Sequence, residues 1–227
     1  MSDNFVFIDN LYRSRMTLLD ILDQRGYEVG IYRKFSPAEA TAAINAGLQN
    51  LQSLGFTVFK KNKEEEKDET KCEIRYTNFI SRQKLDTYFD DIEDDQSEKT
   101  EVIVMMPGAV TDAHHVVALK QYMKLKESAP AGEKIRRKLR VSFFSTYMLV
   151  INPMSHVLVP KHEILPEEEH KPLMQSLYVT SKSKFPEIKF HVDPIARCIG
   201  AVPGDIVKIT RPSASSGEAI IYRVCAP

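Results

Sequence analysis

The side chains able to do chemistry in this chain are few, and their spacing does not favour turnover. His114 and His115 are adjacent. A ligand pair on one helix face needs i,i+4 spacing, and neighbours on a helix point about 100° apart, so this pair is not read as a metal site. His156 and His162 flank Pro160 and read as a structural pairing or as contacts to a partner subunit. Glu73-Ile74-Arg75 is the nearest echo of a nuclease strand, in which carboxylates and a Lys converge on a divalent ion. Arg stands where Lys is needed, and no second carboxylate is identifiable. Cys72, Cys198 and Cys225 are widely spaced and odd in number, with no C-x-x-C pair. That argues for a reducing compartment and against a disulfide framework or zinc. No catalytic residue, metal or cofactor is assigned. Lys134 to Arg140 is the one concentrated basic patch. It is a solvated helix end or loop, or else Arg136, Arg137 and Lys138 meet DNA phosphates or an acidic face.

Composition narrows the class. Lys+Arg and Asp+Glu each total 31, so bulk charge does not hold this chain to nucleic acid. Any DNA contact is local, or made within a larger machine. A length of 227 residues suits one or two domains with a real core. No run approaches the ~20 apolar residues of a membrane span. The opening MSDNFVFIDN has no basic stretch before an apolar core, so no signal peptide is expected.

Several elements must position these residues. Leu11 to Arg25 repeats at helical spacing and stops at Gly26. Ser36-Pro37-Ala38-Glu39 is a capping-box start, followed by Ala40, Ala43, Ile44, Leu48 and Leu51, with Gly55 ending the run. Phe56 to Phe59 and Cys72 to Tyr76 read as strands. The charge run Lys60 to Lys71 between them reads as an exposed loop. Phe89 to Glu101 is acidic and expected to be solvated, and Val102 to Met106 suits a buried strand. Thr111-Asp112 caps a helix expected to run to about Lys126, broken by Ser128 to Gly132. Val141 to Ile151 is another β-rich run, giving a βαβ-like core. Pro166 to Leu177 is expected to be helical, with Glu167, Glu168 and Glu169 favouring its N-terminal turn.

Asp193 to Val224 is the most informative stretch. Ile206, Val207 and Ile209 form one β-rich run and Ala219 to Val224 another. Pro203-Gly204 is a turn and Ser213 to Gly217 a loop, so the two runs are expected to pair.

This stretch resembles the C-terminal domain of the fifth subunit shared by the eukaryotic nuclear RNA polymerases, a family that includes a smaller archaeal polymerase subunit. The family pattern is matched by Asp193-Pro194, Gly200 to Gly204, Val207 to Ser213, and Tyr222-Arg223. Upstream, His156-Val157-Leu158-Val159-Pro160-Lys161-His162 resembles its H-x-L-V-P-x-H. Asp23-Gln24-Arg25-Gly26-Tyr27 loosely matches the end of the family's first helix.

The resemblance implies an α/β protein in two parts. Residues 1–152 would form a nuclease-like α/β jaw domain without an active site, and 153–227 a small α/β assembly domain. It implies a non-catalytic subunit of DNA-directed RNA polymerase, located in the nucleus, with no small-molecule substrate and no membrane. Its partners would be the largest subunit, other core subunits and downstream duplex DNA. The assembly interface it implies comprises His156, Pro160, His162, Asp193, Pro194, Arg197, Arg211, Pro212, Ser213, Tyr222 and Arg223. Thr111, Arg136, Arg137 and Lys138 would lie near DNA. Most members carry T-P-S-A at the loop entering the helix, where this chain has Val110-Thr111-Asp112-Ala113. The missing Pro and the Asp weigh against direct phosphate contact there. The alternatives are a large-DNA-virus polymerase subunit with the same role, or a regulatory protein that reuses the assembly module.

Overall fold

The computed structural model describes residues 2–45, 51–61, 70–78, 80–92, 99–127, 134–136 and 138–227. Two compact units emerge, Met1–Ile151 and Asn152–Pro227. Both mix helix and sheet, as an α/β chain should.

Unit one opens with α1, Ser2–Gln24. It starts before the expected Leu11, and its buried stripe is Leu11, Leu18, Leu19, Ile21 and Leu22. Gly26 ends it at φ 85°, where Gly26 N–H donates to Asp23 O (2.9 Å) and Tyr27 N–H to Leu22 O (3.0 Å). These paired 5→2 and 6→1 bonds satisfy the last carbonyls, and the left-handed φ suits glycine. Helix α2, Pro37–Asn45, has the expected box: Ser36 N–H donates to Glu39 Oε2 at 2.7 Å and Glu39 N–H to Ser36 Oγ at 3.3 Å. Leu48 lies outside the described residues, and Leu51–Leu54 is a separate 3-10 turn.

Strands β1 (Phe56–Phe59), β2 (Lys71–Tyr76), β3 (Thr100–Met106) and β6 (Arg140–Ser145) form one sheet in the order β1-β2-β3-β6. β1 is antiparallel to β2, whereas β2, β3 and β6 are parallel. A short helix α3, Arg82–Leu85, follows β2, and α4, Asp112–Met123, connects β3 toward β6, which is the expected βαβ arrangement. Every residue of β3 is buried, as its unbroken apolar run predicts for an inner parallel strand.

Several expectations need correction. Helix α4 stops at Met123 because Leu125–Glu127 (β4) pairs with Lys134–Arg136 (β5). The run from Val141 leaves the sheet after Ser145 and turns. Lys60 bridges Tyr27 and Lys71 begins β2, so the charged loop is shorter than expected, and its residues 62–69 lie outside those described. Phe89 and Glu101 are not solvated: they are 0% and 2% exposed. Residues 93–98 and 128–133, which hold the rest of that acidic stretch and the predicted helix break, lie outside the described residues.

Unit two holds β7 (Lys161–Ile164), α5 (Glu167–Ser176), β8 (Glu187–Lys189), α6 (Pro194–Ile199), β9 (Ile206–Ser213) and β10 (Gly217–Ala226). The sheet order is β7-β9-β10-β8. The hairpin β9–β10 pairs Gly217 with Ser213 through to Val224 with Ile206, as the two β-rich runs predict. Phe185, Ile206 and Val224 form a core cluster against Leu165, Leu173, Met174, Val179 and Tyr222.

Candidate functional site

The motif residues of unit two fall into three groups. The first builds α6. Asp193 caps it, its carboxylate accepting from Ile195 N–H (2.8 Å) and Ala196 N–H (3.0 Å). Pro194 takes the first helical position, where a missing N–H costs nothing. Gly200, at φ 75°, closes the helix: Gly200 N–H donates to Arg197 O (3.2 Å) and Ala201 N–H to Ala196 O (3.0 Å). Sequence reasoning assigned no helix to this stretch. Cap, proline and glycine were all present, but six residues are too few to show a helical period. Arg197 is 7% exposed, and burial lowers its pKa. We expect Asp193→Ala to destabilise unit two by about 1 kcal/mol in chemical denaturation, with Asp193→Asn retaining most of the stability.

The second group surrounds an open cavity of about 490 Å³ in unit two. His162, Asp193 and Arg223, from three separate motifs, line it beside Lys189, Val192 and Ile209. Arg223 Nη1 donates to the Glu187 carbonyl at 2.9 Å and ties β10 to β8. His162 Nδ1 lies 2.7 Å from the Pro160 carbonyl, so that nitrogen carries the proton and donates. His156 does not pair with His162: its Nδ1 accepts Leu158 N–H at 3.2 Å. The loop between them leaves Val157 91% and Leu158 81% exposed.

The third group is the outer half of the hairpin. Arg211 and Pro212 are exposed and Ser213 half-buried at the end of β9. The Arg211 side chain makes no hydrogen bond or ion pair among the described residues. Tyr222 lies on the opposite face of the sheet from Arg223 and packs on the core cluster. Cys198 and Cys225 are buried thiols, and burial pushes Cys225 up to about 12, which makes it unreactive.

In unit one, Thr111 caps α4 and His114 completes the box: Thr111 N–H donates to His114 Nδ1 at 3.0 Å. His114 thus takes the place usually held by Glu. Lys138 is exposed at φ 53°. Arg136 belongs to β5, and Arg137 lies outside the described residues. The carboxylate partner that the sequence did not reveal for Glu73 is Asp91. Arg75 lies between them, donating from Nε to Glu73 at 2.9 Å and from Nη2 to Asp91 at 2.6 Å. Among the described residues no group of three His, Cys, Asp or Glu side chains is placed to hold a metal.

Two buried arginines escaped sequence reasoning. Arg15 stacks between Phe35 (4.4 Å) and Phe56 (4.3 Å) and donates to Leu54 O at 2.8 Å. Arg25 pairs with Glu101, whose Oε2 also accepts Tyr27 O–H at 3.1 Å. Burial alone would raise the Glu101 pKa, but the facing Arg25 charge outweighs it and holds the carboxyl below its usual range.

Comparison with known proteins bears on the same motif residues. The model of the family described as RNA polymerase Rpb5, C-terminal domain, matches residues 151–225. The DNA-directed RNA polymerase subunit Rpo5 of Archaeoglobus fulgidus is 54% identical over 69 residues, covering 88% of that protein and 30% of this chain. This chain belongs to the Rpb5 family. That of Sulfurisphaera tokodaii is 46% identical over 79 residues, 92% of its length and 35% of this chain. The Dictyostelium discoideum protein named DNA-directed RNA polymerases I, II, and III subunit rpabc1 is 27% identical over 218 residues, spanning 96% of this chain and 98% of its own. The Rpb5 family assignment makes this chain a subunit of DNA-directed RNA polymerase, a component of the transcription machinery. His162, Asp193 and Arg223 of its Rpb5 C-terminal domain converge on one cavity.

Proposed function

We propose that this chain is a non-catalytic subunit shared by nuclear RNA polymerases I, II and III. The C-terminal unit anchors it on the largest subunit, and the N-terminal unit forms part of the lower jaw beside downstream duplex DNA. The near full-length match to the Dictyostelium protein carries this reading, because the archaeal relatives named above match only about a third of this chain. The surfaces support it too. Arg223 at the cavity, and Val157, Leu158 and Arg211 outside the core, offer apolar and cationic groups to a partner, and His162 adds an imidazole. Thr111, Arg136, Arg137 and Lys138 belong to the part directed toward DNA. Nucleotide addition then rests with the large subunits, and this chain sets jaw geometry and stabilises the complex.

Purifying the tagged full chain from nuclear extract at high salt tests the proposal. The expected result is recovery of the largest subunits of all three polymerases in proportion to the bait. Recovery of one class alone would reject sharing, and recovery of none would reject the assignment to the nuclear enzymes.

A further inference from the structure

The two edges of the β9–β10 hairpin are not equivalent. Val224 N–H donates to the Pro186 carbonyl at 2.9 Å, on the side of β10 away from β9. In an antiparallel ladder the N–H and C=O of one residue point the same way, and successive residues alternate. Glu218, Ile220 and Tyr222 are in step with Val224, so their backbone groups also point away from β9. β8 pairs only with Val224 to Ala226 and covers none of them. The Glu218 carbonyl takes the Ser216 hydroxyl at 2.8 Å. Among the described residues, no group takes the N–H or C=O of Ile220 or Tyr222.

The opposite edge is closed. Leu165 N–H donates to Ile206 O at 2.8 Å, so Ile206, Lys208, Thr210 and Pro212 turn outward on β9. β7 covers this edge as far as Thr210. The next outward residue is Pro212, which has no N–H to offer. Proline at that position is a standard block to strand addition. The hairpin therefore blunts one edge and leaves the other a bare template, with Ile220 51% exposed beside it.

Charge indicates what the template takes. Lys161–Glu163 and Lys189–Glu187 are internal ion pairs. Lys208, Arg211 and Arg223 form no ion pair among the described residues: Glu163 faces Lys208 but pairs with Lys161, Glu187 beside Arg223 pairs with Lys189, and Asp193, which shares the cavity with Arg223, caps α6, so Glu218 is the acid left near them without such a role. With those carboxylates engaged inside the unit, the cations left over favour an acidic partner.

We propose that an extended segment of another polymerase subunit, apolar at its centre and acidic at its flanks, pairs along Glu218 to Tyr222 as an added strand. This rests on the assembly role proposed above and specifies how part of it is made. Main-chain bonds supply affinity, and Pro212 directs the partner to β10 alone.

Amide-resolved hydrogen exchange on the full chain, free and within the polymerase it co-purifies, tests the proposal. The Ile220 and Tyr222 amides should exchange freely in the isolated protein and slow by at least about tenfold in the complex. Ala219 and Ile221, bonded to β9, should be slow in both. A complex in which Ile220 and Tyr222 exchange as fast as in the free chain would overturn the edge proposal and leave the polymerase role standing. Failure to recover any polymerase would overturn both. A free chain already protected at these amides and sedimenting as a dimer would show that a second copy takes the edge, which also overturns it. As a second arm, Ile220→Pro removes one outward N–H without touching the β9 ladder. It should reduce recovery of the polymerase at least about tenfold relative to Ile220→Ala, at unchanged thermal midpoint. Equal recovery of the two variants counts against strand addition.

Discussion

Replacing Glu101 with Ala will destabilise the N-terminal unit by about 3–5 kcal/mol, because it leaves the Arg25 guanidinium buried without its counter-charge. The Glu101 side chain is 3% exposed and that of Arg25 11%, so water cannot take over the lost interaction. Arg25 Nη1 already lacks a partner in the buried setting, which deepens the loss. Glu101→Gln keeps the shape and the Tyr27 bond but not the charge, and should fall between wild type and Ala. Replacing both members, as Arg25→Met with Glu101→Leu, should recover much of the stability, since a well-packed apolar pair often matches a buried ion pair. Urea titrations of the four proteins check this. A double variant no better than Glu101→Ala would show that the network matters beyond its charge balance.

The pair also sets a pH dependence. The Glu101 pKa is depressed in the folded state below its ordinary value near 4.5. Its contribution is therefore fully present above that value and is lost as pH falls through the lower folded value. Acid unfolding followed from pH 5 downward should be less steep in Glu101→Gln than in wild type. An identical acid limb would assign the transition to other carboxylates.

This network shows what the sequence withheld and why. Gly26 and Ser36-Pro37-Ala38-Glu39 were legible because a cap is completed by residues within a turn of one another. Glu101 was read as solvated because it ends an acidic stretch, while its partner Arg25 is brought to it only by the fold. β4 was missed for a related reason: Leu125 continues the helical pattern of α4, and only pairing with Lys134–Arg136 turns it into strand. The order and pairing of β9 and β10 were readable from their apolar runs and turn residues. The convergence of His162, Asp193 and Arg223 was not, because it depends on strand order and on where α6 lies. Asp91 beside Glu73 was hidden likewise, since Arg75 draws them together across a chain reversal.

The two hairpin arginines look alike in the sequence, and register separates them. Arg223 is half-buried and donates to the Glu187 carbonyl, a bond inside the unit. Arg211 stands exposed, with no partner among the described residues, next to Pro212, which fixes its own φ and keeps Arg211 extended. Arg211→Ala should therefore leave the thermal midpoint of the free protein unchanged. If Arg211 meets a carboxylate of the largest subunit, the substitution will weaken assembly by about 2–5 kcal/mol, since truncation strands a buried partner charge. Arg211→Lys should restore only part of this, because an ammonium cannot reproduce the two-pronged grip of a guanidinium. Arg223→Ala should instead lower the midpoint, at a cost of about 0.5–1.5 kcal/mol for one lost hydrogen bond. Thermal melts of each variant, beside competition with wild type for incorporation into polymerase, separate the outcomes. If Arg211→Ala competes as well as wild type, this residue lies outside the anchoring surface, and the cavity lined by His162 and Arg223 becomes the place to look for the contact.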